Sequence, residues 1–206
     1  PRLSRGRSRV RVSSRPLKLN NMKNMEYSAV LSKCNTYRYK LTRSWDRTKG
    51  YVLFIMLNPS TADDRENDLT TIRCINFAKH WGYGGIMIGN LYPFRAKRPK
   101  DLNKWLKTSR KSNLIAVEDN WGYVGDMAHQ ADFVVCAWGC NHPGVPDWVE
   151  ELGVPLHYLE LCKDGITPKH PLGNLCKDLN PYRMNPGRFP TSTSLREYKL
   201  NTNKEG

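Results

Sequence analysis

The sequence lacks any apolar run of about 18 residues, so neither a membrane span nor a membrane partner is expected. No apolar stretch follows the basic N-terminus, which argues against a secretory signal. No Met opens the chain; Met22 or Met25 would serve as a start, and no function is assigned to residues 1–21. Neither G-x-G-x-x-G nor a Walker A loop occurs, so phosphate cradling by a standard glycine-rich loop is not expected. H-E-x-x-H and G-x-S-x-G are absent too, and with them the usual metallopeptidase and serine-hydrolase readings. None of the six cysteines (Cys34, Cys74, Cys136, Cys140, Cys162, Cys176) forms a C-x-x-C pair. Zinc and iron–sulfur sites favour tighter pairs. The expectation is buried free thiols in the reducing cytosol of a cytoplasmic protein, with neither metal nor cofactor.

Acidic residues are also scarce, 19 against 33 basic ones, and the net charge is +14. Residues 1–21 hold seven cations (Arg2, Arg5, Arg7, Arg9, Arg11, Arg15 and Lys18) and no acid, yet the remainder still carries +7. A basic body attracts polyanions and releases their counterions on binding. On charge alone, a surface that merely keeps the protein soluble explains the number equally well.

What is present reads as strands alternating with helices. Residues 1–24 form a basic leader without hydrophobic periodicity, expected to be disordered. Residues 25–180 make a single α/β domain, and 181–206 a loose tail rich in Pro, Asn, Ser and Thr. Segment 27–44 suggests a β-hairpin turning near Asn35. The run at 51–57 is apolar throughout, as a strand buried on both faces is; further strands are expected at 86–91 and 131–138, and a short one near 154–159. Helices are expected over 69–81, 101–107, 112–129 and 145–152. This order predicts a three-layer sandwich with a mostly parallel four-stranded central sheet, plus the N-terminal β-hairpin. In such sheets the site lies beyond the carboxyl ends of the strands. Those ends carry Asn58-Pro59-Ser60-Thr61, the stretch from Asn90 to Arg98, and Trp138-Gly139.

Four segments carry candidate chemistry. Asn58 follows a buried strand and is stiffened by Pro59, so its amide is suited to orienting a water or a base edge. Asp63, Asp64 and Asp68 offer a carboxylate base, although an Asx turn with a helix cap explains them more simply. Tyr92, Phe94, Arg95, Lys97 and Arg98 interleave rings with cations, as stacked bases and their phosphates require; an amphipathic loop fits equally well. Trp138 after its strand reads first as core. His170 is a lone histidine, usually structural, that Pro171 could aim into a cleft.

These segments resemble a phage and bacterial family, the domain of unknown function numbered 1643. Its pattern is matched by Tyr37–Arg43 with Trp45, Asn58–Asp63, Asp68–Ile72, Trp81-Gly82, Asn90–Ala96, Ala137–Gly139 and His170–Leu172, with Leu69 where a Pro is expected. The layout is also similar to the uracil-DNA glycosylase superfamily: a strand ending in Asn-Pro, an Asn after the second strand, a strand ending in Gly, and a late His-Pro with Leu172 in place of Ser. That second resemblance implies hydrolysis of the N-glycosidic bond of a damaged or modified base in nucleic acid, DNA foremost, by a monomer. Asn58 with Asp63 or Asp68 would position water, and His170 would stabilise the departing base. Asn90 would read the base edge, with Phe54, Tyr92 or Trp138 against the ring. Ser60, Thr61, Arg95, Lys97 and Arg98 would hold phosphates. The rival expectations are a non-catalytic nucleic-acid-binding protein on the same fold, and a phage inhibitor seated on a host protein in the host cytoplasm.

Overall fold

The computed structural model describes residues 25–60, 66–96, 98–108, 111–142, 144–173 and 196–197. The expected leader, most of the expected tail, and Thr61, Asp63, Asp64 and Lys97 lie outside the described residues. The chain opens with the hairpin, Glu26–Leu31 (β1) against Arg38–Ser44 (β2), antiparallel. Asn35 sits in its turn at φ 57°, a left-handed conformation that Asn tolerates better than most residues.

Tyr51–Met56 (β3), Leu69–His80 (α1) and Gly85–Asn90 (β4) follow. Next come Pro99–Leu106 (α2), Lys111–Gln130 (α3), Phe133–Cys136 (β5), Leu156–Tyr158 (β6) and Arg196–Glu197 (β7). The sheet runs β1-β2-β4-β3-β5-β6-β7, and β4, β3, β5 and β6 are parallel neighbours. The α/β class is therefore as expected, but the sheet is larger than four strands. The outer edge of β4 offers unpaired backbone groups, and β2 satisfies them in antiparallel register, so the hairpin belongs to the same sheet. The expected helix at 145–152 is a 3-10 helix over Asp147–Leu152, entered through Pro146.

Because β3 is central, its side chains feed two cores. Leu53 and Ile55 pack with Met87, Val134 and the α3 residues Val124, Met127 and Ala128. Val52, Phe54 and Met56 pack with Ile86, Ile88, Val135 and the α1 residues Cys74, Ile75, Phe77 and Ala78. Gly89 lets α3 lie close: a Cβ there would stand 3.0 Å from the Met127 methyl and 3.1 Å from Val124.

The cysteines depart from expectation. Cys140 and Cys162 form a disulfide, with Cα atoms 5.9 Å apart, tying the end of β5 to the loop beyond β6. Their 22-residue separation gives no sequence signal, and only the parallel pairing of β5 with β6 brings them together. Cys74 and Cys136 are buried as expected, and burial pushes the Cys136 thiol up. Cys34 is exposed, and Cys176 lies outside the described residues. Among the described residues no helix is long and apolar enough to cross a membrane.

Candidate functional site

The loops leaving β3 and β4 are zipped together beyond the strands. Leu91 N–H donates to Met56 O at 2.7 Å, Tyr92 N–H to Leu57 O at 3.0 Å, and Ala96 N–H to Pro59 O at 3.1 Å. Asn58 completes the zipper. Its Nδ2 donates to Ala96 O at 3.1 Å and reaches Phe94 O at 3.4 Å, so this amide nitrogen holds the β4 loop. The rigidity expected of Asn58 is present, but it is spent on backbone.

Asp68 caps α1: its Oδ1 accepts from Thr71 N–H at 2.7 Å and its Oδ2 from the Ser60 hydroxyl at 2.8 Å. Burial pushes the Asp68 carboxyl up, but the donors at Thr71 and Ser60 and the positive charge of Arg38 outweigh it, leaving the group below the ordinary carboxylate range. Asp68 is therefore ionised at neutral pH, and Ser60 is engaged with it rather than turned to solvent.

His170 arrives from the far end of the chain. Gly139 N–H donates to Pro168 O at 2.9 Å, and a Cβ on Gly139 would stand 3.1 Å from the His170 Cβ. Gly139 has φ 85°, so a side chain there is disfavoured by backbone and space alike. Gly139→Ala should therefore displace the imidazole and cost about 1–2 kcal/mol, measured by urea unfolding.

The His170 Nδ1 accepts from Leu172 N–H at 3.2 Å, which leaves the neutral ring's proton on Nε2. Burial pulls its pKa below the ordinary 6.5, while Asp68 pulls the other way. The unfolded ring takes up a proton near 6.5 and the folded one only at lower pH. The stability this contributes is therefore full above 6.5 and is lost as the pH falls through the folded value. Urea unfolding between pH 7.5 and 5.5 should show wild type losing more stability than His170→Gln.

These groups share one side of one rim. Asn90 alternates with Ile86 and Ile88, which face α1. Gly139 continues the alternation of Val135 and Ala137 on that face, and Asp68 heads α1 itself. β4 and β5 flank β3, so their ends stand two strand spacings apart, about 10 Å. Asn90 is 1% exposed, and among the described residues its Nδ2 has no hydrogen-bond partner. An unsatisfied buried donor costs about 1–3 kcal/mol, which marks it as a place for a ligand acceptor. Behind it, Asn120 on α3 donates to Asn90 O at 2.9 Å and fixes the backbone there.

Other expected residues fall elsewhere. Phe54 is wholly buried between Ile88 and α1 and stacks with Trp81, and Trp138 is core on the α3 side at 2% exposure. Tyr92 leans on that same core, its hydroxyl donating to Gly144 O at 3.3 Å. Arg95 donates to Asn35 O at 3.1 Å, bracing the hairpin turn. Arg98 is held by both carboxylate oxygens of Asp101 at 2.9 and 3.0 Å.

Sequence reasoning missed the buried arginines. Arg38 is 5% exposed, and Arg43 and Arg73 are 0%. Arg43 donates to Asn67 Oδ1 at 2.7 Å and lies over the Tyr27 ring at 4.4 Å. Burial pulls the Arg38 guanidinium down to about 10; Asp68 opposes this, and Arg95 and Arg43 add to it. Arg38 and Arg43 both lie in the matched segment Tyr37–Arg43, where Arg43 stands opposite Ile86 on the α1 face; Arg38 is five residues away, and the register between β1 and β2 shifts in between, so simple alternation does not predict its burial.

Over residues 38–172 the chain matches the family described as "Protein of unknown function (DUF1643)". No curated protein and no solved structure matches it.

Proposed function

We propose that this chain, which belongs to the DUF1643 family, accepts a base extruded from nucleic acid and hydrolyses its N-glycosidic bond, as uracil-DNA glycosylases do. The observation that carries this reading is the buried Nδ2 of Asn90, without a partner among the described residues, on the same side of the rim as Asp68 and His170. A base carbonyl supplies the acceptor that nitrogen is missing, at a depth that only a base taken out of its stack reaches.

Cleavage breaks the bond between C1′ and the base nitrogen, and the electron pair leaves with the base. Positive charge gathers on the sugar and negative charge on the base oxygens. The ionised Asp68 stabilises the first and accepts a proton of the attacking water. Nε2–H of neutral His170 hydrogen-bonds the second. Asn58 contributes by holding the β4 loop, because its Nδ2 is committed there. The basic body supplies sequence-independent attraction for the phosphates.

A second reading, a non-catalytic nucleic-acid-binding protein, is favoured by the engagement of Asp68 as a helix cap. One experiment separates the two. Oligonucleotides carrying uracil, hypoxanthine or hypermodified pyrimidines are incubated with the protein, and freed base is sought by mass spectrometry. Release from one of them supports excision. Tight binding with no base freed from the whole panel leaves the binding protein.

A further inference from the structure

The short helix α2 leaves the rim directly after the loop that Asn58 holds, and its two faces differ sharply. Leu102, at 1% exposure, turns inward, and Trp105 packs face to face on Phe94, with ring centroids 5.1 Å apart and planes 3° off parallel. Tyr37 meets the edge of Trp105 at 6.0 Å. This stacking fixes α2 to the β4 loop and to the hairpin. The outward face carries Lys100, Lys104 and the C-cap Lys107, all exposed. The i, i+4, i+7 spacing puts the three on one stripe. Asp101 is occupied by Arg98, and none of the three lysines forms an ion pair among the described residues. The exposed side of α3, by contrast, carries Glu118, Asp119 and Asp126, so the cationic stripe is local to α2.

We infer that the Lys100–Lys104–Lys107 face of α2 is the track for the phosphate backbone of a single nucleic-acid strand entering the site. The stripe is about 10 Å long at the rise of an α-helix. Three cations in a row along one helix face, unpaired among the described residues, can meet successive phosphates of one strand. A strand with one base at Asn90 brings its flanking phosphates past the adjoining helix. The inference rests on the excision reading only for which strand lies there.

The test uses the full chain and a fluorescent 15-nucleotide single-stranded oligodeoxynucleotide, read by anisotropy from 50 to 200 mM NaCl. Lys100, Lys104 and Lys107 are changed to Ala together. A control with the same charge change replaces Arg47, Lys49 and Lys79, at the opposite rim before β3 and at the end of α1, where Arg47 and Lys49 already pair with Glu26 and Asp46. Single-strand contacts give a salt slope of about −0.7 each, so the α2 variant should lose about 2 from the slope. Its affinity near 0.1 M salt should fall on the order of 100-fold, with the control much less affected. Equal losses in both variants, or no loss in the α2 variant, overturn the inference. Freed base is measured separately at saturating wild-type protein. A missing reaction with the α2 effect intact therefore counts against excision and leaves the track standing.

Discussion

His170→Ala is expected to slow base release on the order of 10²- to 10³-fold while leaving oligonucleotide affinity within about twofold, since a preorganised donor to a developing oxyanion carries about that much of the rate. The expectation follows from the tautomer. Leu172 N–H occupies Nδ1, so Nε2–H is the ring's donor, and burial keeps the ring neutral at pH 7. A neutral donor stabilises the leaving anion by hydrogen bonding, without transferring its proton. His170→Gln keeps a donor amide and should recover part of the rate. Single-turnover kinetics and anisotropy on one oligonucleotide give both numbers. Equal losses of binding and release in His170→Ala would make the residue structural, a wedge between Gly139 and the β6 loop.

Phe54→Ala should remove about 3–5 kcal/mol of folding free energy. Phe54 is 0% exposed and packs among Val52, Met56, Ile88, Phe77 and Trp81, so truncation leaves a cavity in the core that joins α1 to the sheet. A ring that stacked on an extruded base would behave differently. Its loss would weaken base affinity by about 1–3 kcal/mol and barely touch stability. Urea unfolding decides between the two, and a midpoint close to that of wild type would return Phe54 to the site.

The strands were legible because their signal is unambiguous. Tyr51–Met56 and Gly85–Asn90 are short runs of β-forming apolar residues closed by polar turns, and burial on both faces is the only arrangement that hides them. The same property concealed the fate of Phe54. A strand buried on both faces has no polar phase to show which side chains lie near the rim. The hairpin was legible, but its membership of the main sheet was not, since pairing β2 with β4 depends on an edge that exists only after folding.

Charge misled in a different way. An arginine reads as solvent-facing or phosphate-binding, and Arg38, Arg43 and Arg73 are neither exposed nor peripheral. Arg98, expected at phosphates, is held by an aspartate three residues on. Asp68 and Asn90 stand at the ends of elements, as their sequence positions implied. That His170 reaches the same side of the rim was a matter of spatial convergence alone. Gly139 is the residue whose lack of a side chain permits it.

The Asn90 side-chain amide offers the most direct measurement. In a ¹⁵N-labelled sample its NH₂ pair is assigned by its disappearance in Asn90→Asp, and free uracil or hypoxanthine is then titrated in. Seating of a base carbonyl on Nδ2 shifts that pair downfield together with the His170 ring signals, and Asn90→Asp abolishes the His170 response. An Asn90 pair that stays fixed through saturating base, while other resonances move, would contradict the placement of the site.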